Sequence, residues 1–210
     1  RRLLFPESIS NPVLFFRKPP GGDFSTGPNA EKVVGQFDFN TGTRGVGPNR
    51  FASPRGISTD TDDRLYVADP GNNRIVIYDR IPNASNDPQP ATVISNRSTA
   101  QGVLVSALSG EIWAADTRSN RALRFPRFDR LVLSSAPDYS IPVLVPLAVT
   151  QDAFGNLYVA EGGYNRVSIF FNGLATTNAA NGNDVRLAPG MIASVFPQAP
   201  NVPFGDQTAA

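Results

Sequence analysis

The sequence has no cysteine and no histidine among its 210 residues. Without cysteine there is neither a disulfide framework nor a thiolate zinc site. Without histidine there is no Ser-His-Asp triad, no imidazole base and no imidazole metal ligand. Charge of one sign is also missing. The 19 Lys and Arg against 18 Asp and Glu leave a formal net charge of +1, no strong electrostatic case for nucleic acid or an acidic membrane. No apolar run approaches the length of about 18 residues that a membrane span needs. The chain opens on Arg1-Arg2-Leu3-Leu4-Phe5-Pro6 rather than on methionine, and no basic segment followed by an apolar one marks a signal peptide. It is expected to be a piece of a longer protein.

What the sequence does have is turns and short apolar runs. Its 18 Gly and 19 Pro are plentiful, yet 40% of residues are hydrophobic, enough to fold around a core. Three segments repeat. Arg64-Leu65-Tyr66-Val67-Ala68-Asp69 is followed, after four residues, by Arg74-Ile75-Val76-Ile77-Tyr78. Glu111-Ile112-Trp113-Ala114-Ala115-Asp116 leads in the same way to Arg121-Ala122-Leu123-Arg124-Phe125. Asn156-Leu157-Tyr158-Val159-Ala160-Glu161 leads to Arg166-Val167-Ser168-Ile169-Phe170. The acids at 69, 116 and 161 and the arginines at 74, 121 and 166 both step by 47 and then 45 residues, and each arginine follows an asparagine (Asn73, Asn120, Asn165).

Each copy reads as a β-hairpin, since β-branched and aromatic runs flank turns of Gly, Asn, Ser and Pro. A short apolar stretch precedes each copy (Pro54-Arg55-Gly56-Ile57-Ser58, Gly102-Val103-Leu104-Val105, Pro146-Leu147-Ala148-Val149), and a variable one such as Ala91-Thr92-Val93-Ile94-Ser95 follows. Four strands per repeat of about 46 residues is the size of a propeller blade, and no segment sustains a helical period. The expected fold is all-β, a β-propeller of four-stranded antiparallel blades.

These residues resemble NHL repeats, whose blades carry Pro-x-Gly-Ile, Leu-Tyr-Val-Ala-Asp and Asn-Arg-Ile followed by an aromatic. Pro54 to Tyr78 matches nearly throughout, the third copy has Glu161 for Asp, and the second lacks the proline and has Trp113 in the tyrosine place. The resemblance implies a six-bladed ring, so the chain would hold about four blades of a larger propeller. On an alignment of Arg1-Arg2-Leu3-Leu4-Phe5-Pro6 with Arg121 to Pro126, Arg1 would be the signature arginine of a preceding blade. Blades are then expected over residues 1–186, with an insertion within 6–50 marked by Pro19-Pro20-Gly21-Gly22. Residues 187–210 would begin either another blade or a C-terminal β-domain. Ala30 to Thr41 is similar to an inter-blade segment of large secreted bacterial NHL proteins, which implies an exported or cell-surface bacterial protein.

The signature residues Asp69, Arg74, Asp116, Arg121, Glu161 and Arg166 are expected to be structural, pairing across one hairpin or binding turn amides. Asp60, Asp62 and Asp63 alternate as calcium ligands can, yet the stretch lacks the Gly and distal Glu of an EF-hand loop. No cofactor is expected, calcium being the one candidate. Trp113 shares its strand position with Tyr66 and Tyr158 and is expected to pack between blades. Ligands on propellers use one end of the central channel, where Arg50, Arg55, Arg118 and Tyr164 are the binding candidates. The expected function is non-catalytic: a binding or scaffold propeller that takes a protein or small ligand on that face. The alternatives are three. A calcium-dependent lactonase or lyase is one, although the family's lyases use histidine at their metal centre. RNA binding is another, through Arg118, Arg121, Arg124, Arg127 and Arg130, whose spacing of three does not keep one face of a strand. The last is self-assembly as an extracellular structural protein through exposed blade edges.

Overall fold

The computed structural model describes residues 2–18, 21–22, 29–80, 88–95, 99–131 and 136–172, and the backbone of three short strands at 175–177, 184–186 and 192–193. Arg1 and the tail from Leu187, apart from 192–193, lie outside the described residues.

Four antiparallel sheets of three or four strands follow one another along the chain, with a two-stranded hairpin beside the last. The first holds β1 (Arg2–Pro6), β2 (Val13–Arg17) and β3 (Lys32–Val34). The second is β4 (Ile57–Thr59), β5 (Leu65–Asp69), β6 (Arg74–Tyr78) and β7 (Thr92–Ile94). The third is β8 (Ala100–Val105), β9 (Ile112–Asp116), β10 (Arg121–Phe125) and β11 (Tyr139–Pro142). In the fourth, β12 (Pro146–Gln151), β13 (Leu157–Glu161) and β14 (Arg166–Phe170) are joined by the late strand β17 (Ile192–Ala193), after a small hairpin of β15 (Ala175–Thr177) and β16 (Asp184–Arg186).

The core lies between sheets, and strand alternation shows how. Leu65 and Val67 of β5 point at the first sheet, meeting Val13, Phe15, Val34 and Phe51. Tyr66 and Ala68 point the other way, at Val103, Val105 and Ile112 of the third. β9 repeats the pattern, with Ile112 and Ala114 toward the second sheet and Trp113 and Ala115 toward Val149, Leu157 and Val159 of the fourth. Neighbours on both sides explain why β5, β6 and β9 are buried at every position and read as continuous apolar runs. Trp113 packs between blades, edge-on to Tyr139 with ring centroids 6.3 Å apart.

The inner strands of neighbouring blades approach each other closely. Gly56, Gly102 and Ala148 recur every 46 residues. A Cβ on Gly56 would stand 2.6 Å from the Gly102 Cα, and one on Gly102 would stand 3.0 Å from the Ala148 Cα. Glycine is required at Gly56 because neighbouring backbone occupies the side-chain space.

Candidate functional site

The signature acids bind the inter-blade linkers as well as their arginines. Ala52 N–H donates to Asp69 Oδ1 at 2.7 Å, Thr99 N–H to Asp116 Oδ1 at 3.0 Å, and Leu144 N–H to Glu161 Oε2 at 2.6 Å. Each acid thus holds the linker that feeds its own blade. The second oxygen takes what the turn and third strand offer. Arg74 Nε donates to Asp69 at 2.8 Å and Arg166 Nε to Glu161 at 2.9 Å. Arg121 differs: it is exposed and donates to Ser140 Oγ at 3.3 Å, while the Ser119 hydroxyl takes Asp116 Oδ2 at 2.7 Å.

The recurrent asparagines supply the other half of the joint. Asn73, Asn120 and Asn165 have φ of 52°, 54° and 51°, the left-handed conformation that asparagine tolerates best after glycine. Asn120 Oδ1 accepts from Val145 N–H at 2.9 Å, next to the Leu144 held by Glu161. Val145 has φ 51°, strained for a β-branched residue. It is fixed from both sides, since Gly162 N–H donates to its carbonyl at 2.9 Å.

The first sheet carries the same joint in altered chemistry. Asn11, with φ 68°, accepts from Ser53 N–H at 2.8 Å through Oδ1, as Asn120 does from Val145. Glu7, four residues earlier, stands at the acid position and accepts from Ser10 N–H at 3.1 Å. Pro12 replaces the arginine, so β1 is the second strand of its blade and β2 the third. Aligning Arg1 with the signature arginine therefore places the register one strand too late. The acid, three residues and asparagine are the common element, and the arginine is not shared by the first sheet.

The insertion explains why the pairs differ in burial. Arg74 Nη2 donates to Gly47 O at 2.8 Å and also to Arg50 O, and Asn72 Nδ2 donates to Gly45 O at 2.8 Å. Residues 45–50 thereby cap the Asp69–Arg74 pair, whose guanidinium side chain is 9% exposed against 42% for Arg166. Burial pushes the Asp69 carboxyl above the usual range, against the donors around it. At Glu161 burial works in the same direction but is outweighed, so donors from Ser168, Leu144 and Arg166 hold it below the usual range. The sign follows. A depressed acid adds stability above its unfolded pKa and loses it as pH falls through the folded value. Glu161→Gln is expected to cost about 1–2 kcal/mol at neutral pH, and its gap from the wild type in urea midpoint should shrink below about pH 4. A gap constant from pH 7 to 3 would disprove this assignment.

Two of the three aspartates considered for calcium bind groups of their own chain. Asp60 Oδ1 accepts the amides of Asp62 and Arg64, and its Oδ2 accepts the Tyr66 hydroxyl at 2.9 Å. Asp152 does the same for Phe154, Asn156 and Tyr158. Asp62 pairs with Arg64 at 2.7 Å. Among the described residues no group of three or more acids is placed to hold a metal. This Asp-x5-Tyr anchor was missed, although its spacing in the first and third copies (60 to 66, 152 to 158) was visible in the sequence.

The binding candidates fall at one end of the blades, where linkers meet the turns between second and third strands. A bulge recurs at the start of the inner strands, with register shifts between Ala100 and Gly102 and between Pro146 and Ala148. Arg55 N–H donates to Ala68 O while Ala68 N–H donates to Gly56 O, the same irregularity in the second blade. A bulge re-aims a side chain out of the pleat, which fits the exposed Arg55, the half-exposed Gln101 and Leu147 at 47%. Arg118 is exposed on the next turn, its N–H donating to Thr99 Oγ1 at 3.0 Å. Tyr164 is 57% exposed and its ring lies under the Arg166 guanidinium at 4.5 Å. Arg50 is different in kind: its stem folds against Gly45 and its carbonyl caps Arg74. Sequence reasoning missed Gln101 and Leu147, whose signal was their 46-residue step from Arg55.

Sheets packed face to face and abutting along their inner strands, each tied to the next at its linker, define a β-propeller. The chain is a β-propeller, and the family model for the NHL repeat matches its residues 51–78. No curated protein matches it significantly. Among solved structures it is similar to a functionally unknown protein from Desulfotomaculum acetoxidans at 13% identity and TM-score 0.56, covering 81% of this chain and 48% of that one. It is also similar to Kuenenia stuttgartiensis hydrazine synthase, with 14% identity, TM-score 0.48 and coverage of 72% and 38%. Virginiamycin B lyase from Staphylococcus aureus matches at 13% identity and TM-score 0.48, with coverage of 89% and 66%. The chain spans about half the length or less of the first structures it resembles. Among the described residues no helix is long and apolar enough to cross a membrane.

Proposed function

We propose that the chain is a non-catalytic binding propeller of an exported bacterial protein, and that its partner, a protein or small ligand, docks on the end bearing Arg55, Arg118 and Tyr164. The observation that carries this reading is the commitment of Asp69, Asp116 and Glu161. All three signature acids are spent on linker amides, arginines and hydroxyls, whereas a hydrolytic or lyase centre needs acids free to act on substrate. The exposed groups at this end include the Arg55 and Arg118 guanidiniums, the Tyr164 phenol and bulge side chains, the mixture favoured in binding patches.

The test is selection of a displayed random-peptide library on the full chain. Enriched peptides are expected to lose binding to the Arg55→Ala/Arg118→Ala/Tyr164→Ala variant at unchanged melting temperature. Enrichment indifferent to that variant would sink the proposal. So would calcium-dependent hydrolysis of a lactone by the wild type.

A further inference from the structure

A hollow of about 330 Å³ opens between the third and fourth blades at the opposite end from Arg55, beside the turns that join first and second strands. Trp113 and Tyr139 wall it from the third blade, Leu157 and Phe170 from the fourth, and Arg124 reaches into it. Its volume sits at the lower end of the range for ligand pockets, roughly 300–1,000 Å³.

The neighbouring crevice shows what such a space holds. Between the second and third blades, Phe128 leads a short 3-10 turn (Phe128–Arg130) and packs on the cluster that includes Tyr66, Ile77 and Ile94. The Arg64 guanidinium lies 4.2 Å from its ring centroid. In the repeat register Trp113 takes the place of Tyr66, Arg124 that of Ile77 and Ile141 that of Ile94. One crevice thus has an aliphatic wall and an aromatic plug from its own chain. The other has a guanidinium in that wall, 5.3 Å from the Tyr139 ring centroid, and among the described residues a hollow without such a plug.

Charge narrows the occupant further. Arg124 lies between Glu111 at 3.2 Å and Asp138 at 2.9 Å. Two carboxylates around one guanidinium leave excess negative charge, so an anionic guest is disfavoured and a cation at the rim is welcome. We propose that this crevice takes the aromatic side chain of a partner peptide. Its ring enters as Phe128 does next door and stacks on Arg124, and an adjacent basic residue meets Glu111 and Asp138. The site is separate from the Arg55 end and does not depend on the reading of that end.

The chain has a single tryptophan, and it lines this hollow, so Trp113 emission reports occupancy. Titration of the full chain with N-acetyl-phenylalanyl-lysine amide is expected to give a saturable change with Kd on the order of 1 mM, as suits so small a ligand. The Phe-Glu peptide should bind roughly fivefold more weakly, and the Leu-Lys peptide should not saturate in the same range. Asn172→Phe, at an exposed lining residue, should fill the hollow and abolish the response while the melting temperature holds. The Arg55/Arg118/Tyr164 variant should respond as the wild type does. A flat titration, an equal response to the Leu-Lys peptide, or a response untouched by Asn172→Phe each overturns the proposal.

Discussion

Replacing Asp69 by alanine is expected to lower the unfolding free energy by about 3–5 kcal/mol, the cost of leaving a buried charge without its partner. Arg74 lies beneath the 45–50 loop and loses its carboxylate, while Ala52 N–H and Asn72 lose an acceptor in the same step. Asp116→Ala should cost only about 1–2 kcal/mol, because Arg121 is already exposed and the donors left behind are Ser119 and Thr99. Urea denaturation of both variants checks the contrast. The double variant Asp69→Ala/Arg74→Met should be more stable than Asp69→Ala alone, because the stranded charge is gone. Equal losses at 69 and 116 would show that the cap over Arg74 does not matter energetically.

The second large effect is expected at the axis. Gly56→Ala places its new carbon against the Gly102 Cα at 2.6 Å, the Val103 N at 2.8 Å and the Gln101 O at 2.9 Å. All three are backbone and none can rotate aside, so the inner strands must part, at a cost of about 3 kcal/mol. Gly102→Ala meets its nearest atom at 3.0 Å and should cost about 1 kcal/mol. The ranking is what matters: thermal melts in which Gly102→Ala is the worse variant would refute the packing order drawn here.

The blades were legible from sequence because their cause is local. β-branched runs at a 46-residue period, glycine-rich turns and a repeated acid, asparagine and arginine all survive in the linear chain, and residues 57–170 fold accordingly. What escaped is what depends on contacts distant in sequence. The arginine drew attention as the signature, yet it is absent at Pro12 and unpaired with its acid at Arg121. The constant residue is the asparagine, always in a left-handed turn, and at Asn120 and Asn11 its side chain also accepts from a linker 25 or 42 residues away. Periodicity counts an asparagine but does not say where its side chain reaches. The Gly35-Gln36-Phe37-Asp38-Phe39 segment was recognised only as inter-blade. The structure shows Gly35 making room for the Phe51 ring, and the buried Gln36 amide donating to Ser10 O at 3.3 Å and Thr43 O at 3.1 Å. The hollow beside Trp113 was invisible for a related reason. One exchange, arginine where the previous blade has isoleucine, acquires meaning only when two crevices are laid side by side.

The linker joint also bears on how such chains can be recombined. A break placed in a linker, at residue 52 or 144, parts each blade from the amide its own acid holds and exposes both donors at once. A break in the connection between third and fourth strands, such as residues 79–91, leaves that bond within the transplanted piece. Only the asparagine contact from the preceding blade must then be remade, as Asn11 and Asn120 make it. The natural unit of exchange is therefore a permuted blade: an outer strand, a linker and the three strands after it.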